Sequence, residues 1–372
     1  VTHKLSNKEL DEFINLMKKS SKPIFYTGGG VINSGPEASE YLRELVSLTG
    51  FPITSTLQGL GAYPGDDPQF LGMLGMHGTF EANNAMHDCD LMINIGARFD
   101  DRITGKVDEF SPKSKKIHVD IDPTEINRIT KPDVGLVSDA AFTTREIIDA
   151  LNKYNIKRTS REEEMLNIKA QAEKLMEEKA GPQMAWLRAI RDVLPDNGLF
   201  VDEFTQVGYV SRVGFPVYNP RSMITPGYQG TLGYGYATAL GVKVAHPDKS
   251  VVSVNGDGGF MYTMPEIATA VHHGINLVAI VFTDGAYGNV LRMQRELHDG
   301  KIIASQFTNP DFVRLTESFG ALGLRAKTPN ELRGALEKGF SANRPTIIEV
   351  PVTTFPEPFE LLRPTATRGT RG

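Results

Sequence analysis

The stretch that decides the fold is residues 251–288, VVSVNGDGGFMYTMPEIATAVHHGINLVAIVFTDGAYG. It reads as strand, acidic glycine turn, helix, strand and second acidic turn. Residues 251–254 form a β-branched run that leads into Gly256-Asp257-Gly258. Residues 265–272 have helical character, and the apolar run 277–282 leads into Asp284-Gly285. A strand–helix–strand unit of this length is a right-handed parallel crossover in nearly every known case. It carries both strand ends, and with them Asp257 and Asp284, to one edge of a sheet. Open α/β sheets bind ligands at that edge. Two carboxylates there suit a hard cation such as Mg²⁺, which takes one or two protein oxygens and completes its shell with phosphate or water. Glycines beside them allow close approach of backbone to a phosphate. A Gly-Asp-Gly tripeptide alone is equally a plain turn. The second acidic turn after a second buried strand favours a metal–phosphate site.

Length and composition set the frame. A chain of 372 residues predicts two domains or a little more. Apolar residues at 40% and charged residues at 23% predict a globular protein. The formal charge of −5, with no dense basic run beyond residues 113–116, argues against a nucleic-acid surface. No apolar run reaches membrane-spanning length, and the polar start Val1-Thr2-His3-Lys4 carries no signal-peptide pattern. Cys89 is the only cysteine, so no disulfide framework is expected and a cytoplasmic location is. It sits in MHDCDLMINIG, just before an apolar strand, and is expected to be buried and inert. The chain begins at Val1, not Met, and a segment is expected upstream.

Outward from the deciding stretch, strands and helices alternate, which implies helix-flanked parallel sheets. Residues 7–18 read as an amphipathic helix with Leu10, Phe13, Ile14 and Met17 on one face. Residues 23–26 read as a strand ending in Gly28-Gly29-Gly30, residues 37–49 as a helix, and residues 52–54 as a strand. Residues 90–96 run into GARFDDR, and strand 116–119 ends in Asp120-Ile121-Asp122-Pro123. Glycine, arginine and aspartate at strand ends fit a nucleotide crevice. The glycine triplet is also a plain turn former, and Asp120 and Asp122 also fit as caps of a helix at 124–128. Residues 153–182 are strongly charged and read as a solvated helical linker. In the second domain, residues 184–194 read as a helix and 199–202 as a strand. The segment 227–241, GYQGTLGYGYATALG, is a glycine-rich loop entering a helix, whose exposed N–H groups suit an anion. Close packing through small residues explains the same glycines. Helices at 311–319 and 329–340, strand 346–350 and an irregular proline-rich tail complete the domain. The expected architecture is α/β, with two doubly wound parallel-sheet domains at 1–152 and 183–372.

These motifs together resemble the thiamine-diphosphate enzymes, and among them the acetolactate synthase (acetohydroxyacid synthase) large subunits. Gly256-Asp257-Gly258 with Asp284 resembles the superfamily's diphosphate–metal motif, although Asn is commoner at the second position. The resemblance implies Mg²⁺ held by Asp257, Asp284 and the carbonyl of Ala286. It implies thiamine diphosphate contacts from Val207, Gly208, Tyr209 and Val210, from Gly230 and Leu232, and from Gly256, Gly258, Gly259, Tyr287 and Gly288. Leu232 matches the apolar wedge under the bent cofactor. In the first domain YTGGGVINSG, STLQGLGAYPGDDP, MLGMHGTFEANNA, GARFDDRITGK and HVDIDPTEI resemble the family's central domain, which holds a FAD with no redox role. Its implied flavin contacts are Gly29, Gly30, Leu57, Met76, His77, Gly96, Arg98, Asp120, Ile121 and Asp139. Arg102 matches the arginine that holds the second substrate's carboxylate, a role suited to a planar guanidinium.

The resemblance departs from the family in three places. Met293 stands near the position of the substrate-pocket tryptophan, the glutamine-histidine pair after Val207-Gly208 is missing, and nothing corresponds to the amino-terminal pyrimidine-binding domain with its activating glutamate. The implied activity is carboligation: decarboxylation of a 2-oxo acid such as pyruvate and addition to a second 2-oxo acid. The chain is expected to be a truncated or split form, or the tail of a longer enzyme, working as a homodimer or homotetramer with no membrane or nucleic-acid partner. A separate pyrimidine-binding domain or a regulatory subunit is a further implied partner. The rival readings are another thiamine-diphosphate-dependent decarboxylase or lyase, and a non-catalytic nucleotide-binding or assembly module.

Overall fold

The computed structural model describes residues 4–154, 161–227 and 229–356. The chain divides into two compact units: residues up to Glu178 together with Pro216–Pro220, and Lys179–Phe215 together with Arg221–Glu357. Each is built on a six-stranded sheet whose strand pairs are all parallel.

The first sheet comprises β1 (Pro23–Thr27), β2 (Ile53–Ser55), β3 (Phe70–Met73), β4 (Leu91–Ile95), β5 (Lys115–Asp120) and β6 (Val134–Val137), in the order β3-β2-β1-β4-β5-β6. The order reverses between β1 and β4, as in doubly wound folds, and that point is where such sheets open a crevice. Every residue of β1 and β4 is buried, because helices cover both faces of a parallel sheet. Helix Asn7–Lys19 buries Phe13, Ile14 and Met17, as its periodicity predicts, and Ser6 closes a capping box with Glu9.

The second sheet comprises β7 (Leu199–Val201), β8 (Met223–Ile224), β9 (Val251–Gly256), β10 (Val278–Thr283), β11 (Leu322–Arg325) and β12 (Thr346–Pro351), in the order β11-β12-β10-β9-β7-β8. Its core holds an aromatic chain in which the Tyr236 and Phe260 rings lie 5.1 Å apart and the Phe260 and Phe312 rings 5.7 Å apart, all edge to face. In the β9–β10 register Phe282 pairs with Gly256. Asp257 and Asp284 therefore follow the last shared rung by one and two residues.

Three local expectations are revised. No helix forms at 124–128. Asp122 instead accepts the N–H of Thr124 at 2.8 Å and its hydroxyl at 2.7 Å, and Asn127 has φ +69°, so the segment turns. The acidic glycine turn after β9 is the first turn of a short helix, Asp257–Thr263, with Gly256 as its N-cap. The charged segment 153–182 includes 155–160, outside the described residues, and the start of helix Glu162–Val193, which kinks at Ala180 ahead of Pro182. Met165 of that helix is fully buried among the core residues of the first unit, and Lys169 Nζ donates to the Asp67 carbonyl at 2.8 Å. The density of charge around Met165 masks this apolar anchor. Cys89 is buried as expected, and burial pushes its thiol up to about 11, beyond the range of a reactive thiolate. The tail expected to be irregular falls, from residue 357, outside the described residues.

Candidate cofactor sites at the sheet edges

At the carboxyl edge of the second sheet, the parallel register brings Asp257 and Asp284 together. One oxygen of Asp257 accepts three hydrogen bonds, from the N–H of Asp284 at 3.0 Å, the N–H of Gly285 at 2.8 Å and the Asn309 amide at 2.6 Å. Its other oxygen accepts the N–H of Gly258 at 2.8 Å. Asp257 is buried, yet Asp284 opens toward solvent. Asp284 accepts the N–H of Ala286 at 3.1 Å and the amide of Gln206 at 2.6 Å. Desolvation on its protein side, followed by the neighbouring Asp257 carboxylate, pushes the Asp284 carboxyl upward. Two neighbouring carboxylates with oxygen lone pairs to spare suit a hard divalent cation that draws its remaining ligands from carbonyl, phosphate and water. Among the described residues no group of three or more His, Cys, Asp or Glu is placed to hold a metal ion.

The glycines around this pair fall into two classes. A Cβ on Gly258 would lie 2.5 Å from the Tyr287 ring, and one on Gly259 would lie 1.9 Å from the Glu203 carboxylate. Packing itself demands glycine at both. A Cβ on Gly256 would meet nothing closer than Thr205 at 3.6 Å, and one on Gly288 nothing closer than Asp284 at 3.6 Å. Space beside these two fits the close approach of a phosphate rather than a packing constraint.

Val207, Gly208, Tyr209 and Val210 lie in the first half of helix Gln206–Gly214, whose N-cap is Thr205. Val207 and Val210 are fully buried, and the Val207 N–H donates to the Thr205 hydroxyl at 3.1 Å. Gly230 has φ +66°, and a Cβ there would strike the Phe204 ring at 2.8 Å. Leu232 is 36% exposed on the loop that leads into helix Tyr234–Ala245. An apolar side chain held partly in the open is what a wedge against a ligand requires. Met293 is exposed on helix Gly288–Leu297.

Three residues at this edge escaped sequence reasoning. Gln206 bridges Asp284 and the N–H of Phe355, which its oxygen accepts at 2.8 Å. It precedes Val207, whereas the family pattern has its glutamine after Gly208. Asn309 steadies Asp257. Glu203, just past the end of β7, is fully buried and accepts the N–H groups of Gly233 at 2.6 Å and Gly235 at 3.1 Å. Burial pushes its carboxyl up to about 7, against the pull of those two donors. The run DEFTQ offered an acidic signal at a strand end for Glu203, but nothing local to mark its partners.

In the first unit the expected flavin contacts all follow strand ends. Gly29 and Gly30 follow β1, Leu57 follows β2, Met76 and His77 follow β3, Gly96 and Arg98 follow β4, Asp120 ends β5 and Ile121 follows it, and Asp139 follows β6. Gly30 and Gly96 are needed for packing, since a Cβ on Gly30 would lie 2.7 Å from the Gly96 Cα and Gly96 has φ +65°. Asp139 is already engaged, capping helix Ala140–Lys153 through Phe142 N–H and accepting the Ser34 hydroxyl at 2.7 Å. Met76, Arg98 and Ile121 are exposed at the same edge. Arg102 is exposed in the single turn Asp101–Thr104, which Asp100 caps, and its carbonyl accepts the N–H of Met76 at 2.7 Å.

Comparison with known proteins agrees with this geometry. Residues 10–151 match the family described as thiamine pyrophosphate enzyme, central domain, and residues 205–350 match the thiamine pyrophosphate enzyme C-terminal TPP binding domain. The chain is 36% identical over 341 residues to the acetolactate synthase large subunit of Haemophilus influenzae, covering 90% of this chain and 59% of that protein. It is 34% identical over 359 residues to the probable acetolactate synthase large subunit of Methanocaldococcus jannaschii, covering 92% of this chain and 59% of that protein. It is 31% identical over 376 residues to the mitochondrial acetolactate synthase catalytic subunit of Saccharomyces cerevisiae, covering 94% of this chain and 54% of that protein. The chain thus spans somewhat more than half the length of these curated relatives. With two parallel six-stranded sheets carrying the matched central and cofactor-binding domains in sequence, the chain belongs to the thiamine pyrophosphate enzyme family.

Proposed function

We propose that this chain is the central and diphosphate-binding part of a thiamine-diphosphate-dependent carboligase of the acetolactate synthase type. The observation that carries the reading is the joined pair Asp257 and Asp284 at adjacent strand ends. Similarity to acetolactate synthase large subunits over 90% of the chain supports the substrate class, 2-oxo acids. When bound, thiamine diphosphate supplies a thiazolium ring that acts as the electron sink for decarboxylation and ligation. The chain's own residues bind and orient. Asp257, Asp284 and the Ala286 carbonyl would hold Mg²⁺, whose charge would offset that of the diphosphate. At the start of helix Gln206–Gly214 the N–H groups of Val207 and Gly208 donate to the Thr205 hydroxyl, so phosphate oxygens would be received on the open flank of Gly256 and Gly288. Gly258, Gly259 and Tyr287 shape the floor, and Leu232 on the Gly230 loop is the wedge. In the first unit the residues at the strand ends, from Gly29 to Asp139, would hold FAD, and Arg102 would take the carboxylate of the second 2-oxo acid.

Among the described residues no helix is long and apolar enough to cross a membrane. A homo-oligomer in a reducing cytoplasm, with a pyrimidine-binding domain in cis or trans, completes this reading. The test is calorimetric titration of thiamine diphosphate with and without Mg²⁺, followed by product analysis with pyruvate once a pyrimidine-binding domain is supplied. Mg²⁺-dependent binding and acetolactate formation support the reading. Binding with release of an aldehyde alone moves it to a decarboxylase, the second reading, which Met293 near the tryptophan position and the missing glutamine-histidine pair after Val207-Gly208 favour.

A further inference from the structure

The glycine-rich loop into helix Tyr234–Ala245 has the form of an anion site, yet its position is taken. A helix start offers unpaired N–H groups and the positive end of a dipole. Here the donors of Gly233 and Gly235 point at the two oxygens of Glu203, at 2.6 and 3.1 Å. The carboxylate is fully buried. It also fills the space behind the acidic turn. A Cβ on Gly259 would lie 1.9 Å from one Glu203 oxygen, and a Cβ on Gly235 would lie 2.9 Å from the other. One side chain, two residues past the end of β7, therefore joins the start of the helix after the glycine-rich loop to the helix that begins at Asp257.

We propose that Glu203 is a positioning residue for the cofactor site: its carboxylate clasps the helix start at Gly233 and Gly235 and packs against Gly259, setting the spacing between the Gly230–Leu232 loop and the Asp257 turn. The proposal rests on the thiamine-diphosphate reading of that edge. Glu203 does not touch the cofactor. Its two oxygens occupy the donors of that helix start, so the cofactor's diphosphate is left to the Asp257 turn and the metal. Carboxylates bound by two N–H donors hold backbone more rigidly than neutral acceptors do. Losing such a supporting contact misplaces groups that are themselves unchanged.

The experiment uses Glu203→Gln and Glu203→Ala in the whole chain. Glu203→Gln keeps the volume and one acceptor, and so guards against simple unfolding. Two quantities are read: hydrogen exchange at the Gly233 and Gly235 amides without ligand, and calorimetric affinity for thiamine diphosphate in excess Mg²⁺. The expected result is faster exchange at both amides in Glu203→Ala, and affinity lowered about 10–100-fold in Glu203→Ala, less in Glu203→Gln. A residue that merely stabilised the fold would lower the melting temperature and leave affinity unmoved at temperatures well below the transition. Unchanged exchange in Glu203→Ala overturns the clasp. Normal affinity in both variants overturns the positioning role while leaving the cofactor reading intact. A parent chain that binds no thiamine diphosphate overturns the cofactor reading and the positioning role with it, and the exchange rates then decide the clasp on their own.

Discussion

Asp257 and Asp284 are joined through the backbone: a carboxylate oxygen of Asp257 accepts the N–H of Asp284 at 3.0 Å. The same oxygen accepts Gly285 N–H at 2.8 Å and the Asn309 amide at 2.6 Å. Three donors on one oxygen hold the carboxylate plane, which fixes where the second oxygen points. The geometry of the acidic pair is thus built by the fold before any cation arrives.

Asp257→Asn is the sharp test of that pair. It keeps the volume but replaces the carboxylate with a neutral amide whose NH₂ would face donors on one side or a cation on the other. Mg²⁺-dependent thiamine diphosphate binding is expected to vanish in calorimetry. Stability is expected to fall as well, because charge-assisted hydrogen bonds are worth about 1.5–3 kcal/mol each. Asp257→Ala is a poorer probe than its sheet-edge location suggests, since Asp257 is buried and its four donors would lose their acceptor. Unchanged affinity in Asp257→Asn would reject the metal assignment.

Gly256→Ala and Gly259→Ala should behave oppositely. The added methyl of Gly259→Ala lands on the Glu203 carboxylate, and overpacking of this kind costs about 1–3 kcal/mol. The methyl of Gly256→Ala meets only ordinary contact with Thr205 at 3.6 Å. Its melting temperature should match the parent while its diphosphate affinity drops. Equal stability of the two variants in thermal denaturation would contradict the packing assignment.

Glu203 gives the second unit a pH signature. Its carboxyl is raised from 4.5 to about 7, first by burial. A folded-state value above the unfolded one means that the folded protein holds the extra proton between these values. The stabilisation is present below about pH 4.5 and is lost as pH rises through about 7, amounting to about 3 kcal/mol at 1.36 kcal/mol per unit. Trp186, the chain's single tryptophan, packs on Phe282 in the second unit and reports its unfolding. Denaturant midpoints followed by Trp186 fluorescence should fall as the pH is raised from about 5 to about 8 in the parent. A slope just as steep in Glu203→Gln would assign the effect to another group, such as the buried Asp202.

Flavin uptake tests the first unit. The purified protein should be yellow, or should acquire flavin absorbance on incubation with excess FAD. Arg98→Ala, at an exposed position at the strand edge, should weaken the uptake without altering the melting temperature. A colourless parent after FAD saturation would remove the flavin from the reading.

The proposed activity is tested by what the chain does alone. In the proposed site Asp257 and Asp284 are assigned to the metal, and Glu203 is buried against Gly233 and Gly235. Proton transfer by a positioned acid or base contributes about 10²–10⁴-fold. Acetolactate formation from pyruvate is therefore expected only when a pyrimidine-binding domain is present in cis or trans. Robust turnover by the 372 residues alone would assign the chemistry to groups other than these.

The amino-acid sequence by itself determined the architecture and the acidic pair. Runs such as those of β9 and β10 are short, β-branched and buried on both faces, and the spacing between them leaves room only for a crossover helix, so the parallel sheet and the shared edge of Asp257 and Asp284 follow from local pattern. Local pattern misled at 124–128, where Asp122 binds Thr124 and Asn127 turns left-handed instead of continuing a helix. Motif letters also gave Val207 and Val210 as cofactor contacts without showing that both side chains turn into the core. What only the tertiary structure decided are the partners: Gln206 with Asp284, 78 residues away, Asn309 with Asp257, 52 away, and Glu203 with Gly233, 30 away. The physical reason is the range of the interactions. Backbone preference and hydrophobic period act over a few residues, whereas the direction of a buried polar side chain is set by whichever distant strand or loop the packed sheet brings within hydrogen-bond reach.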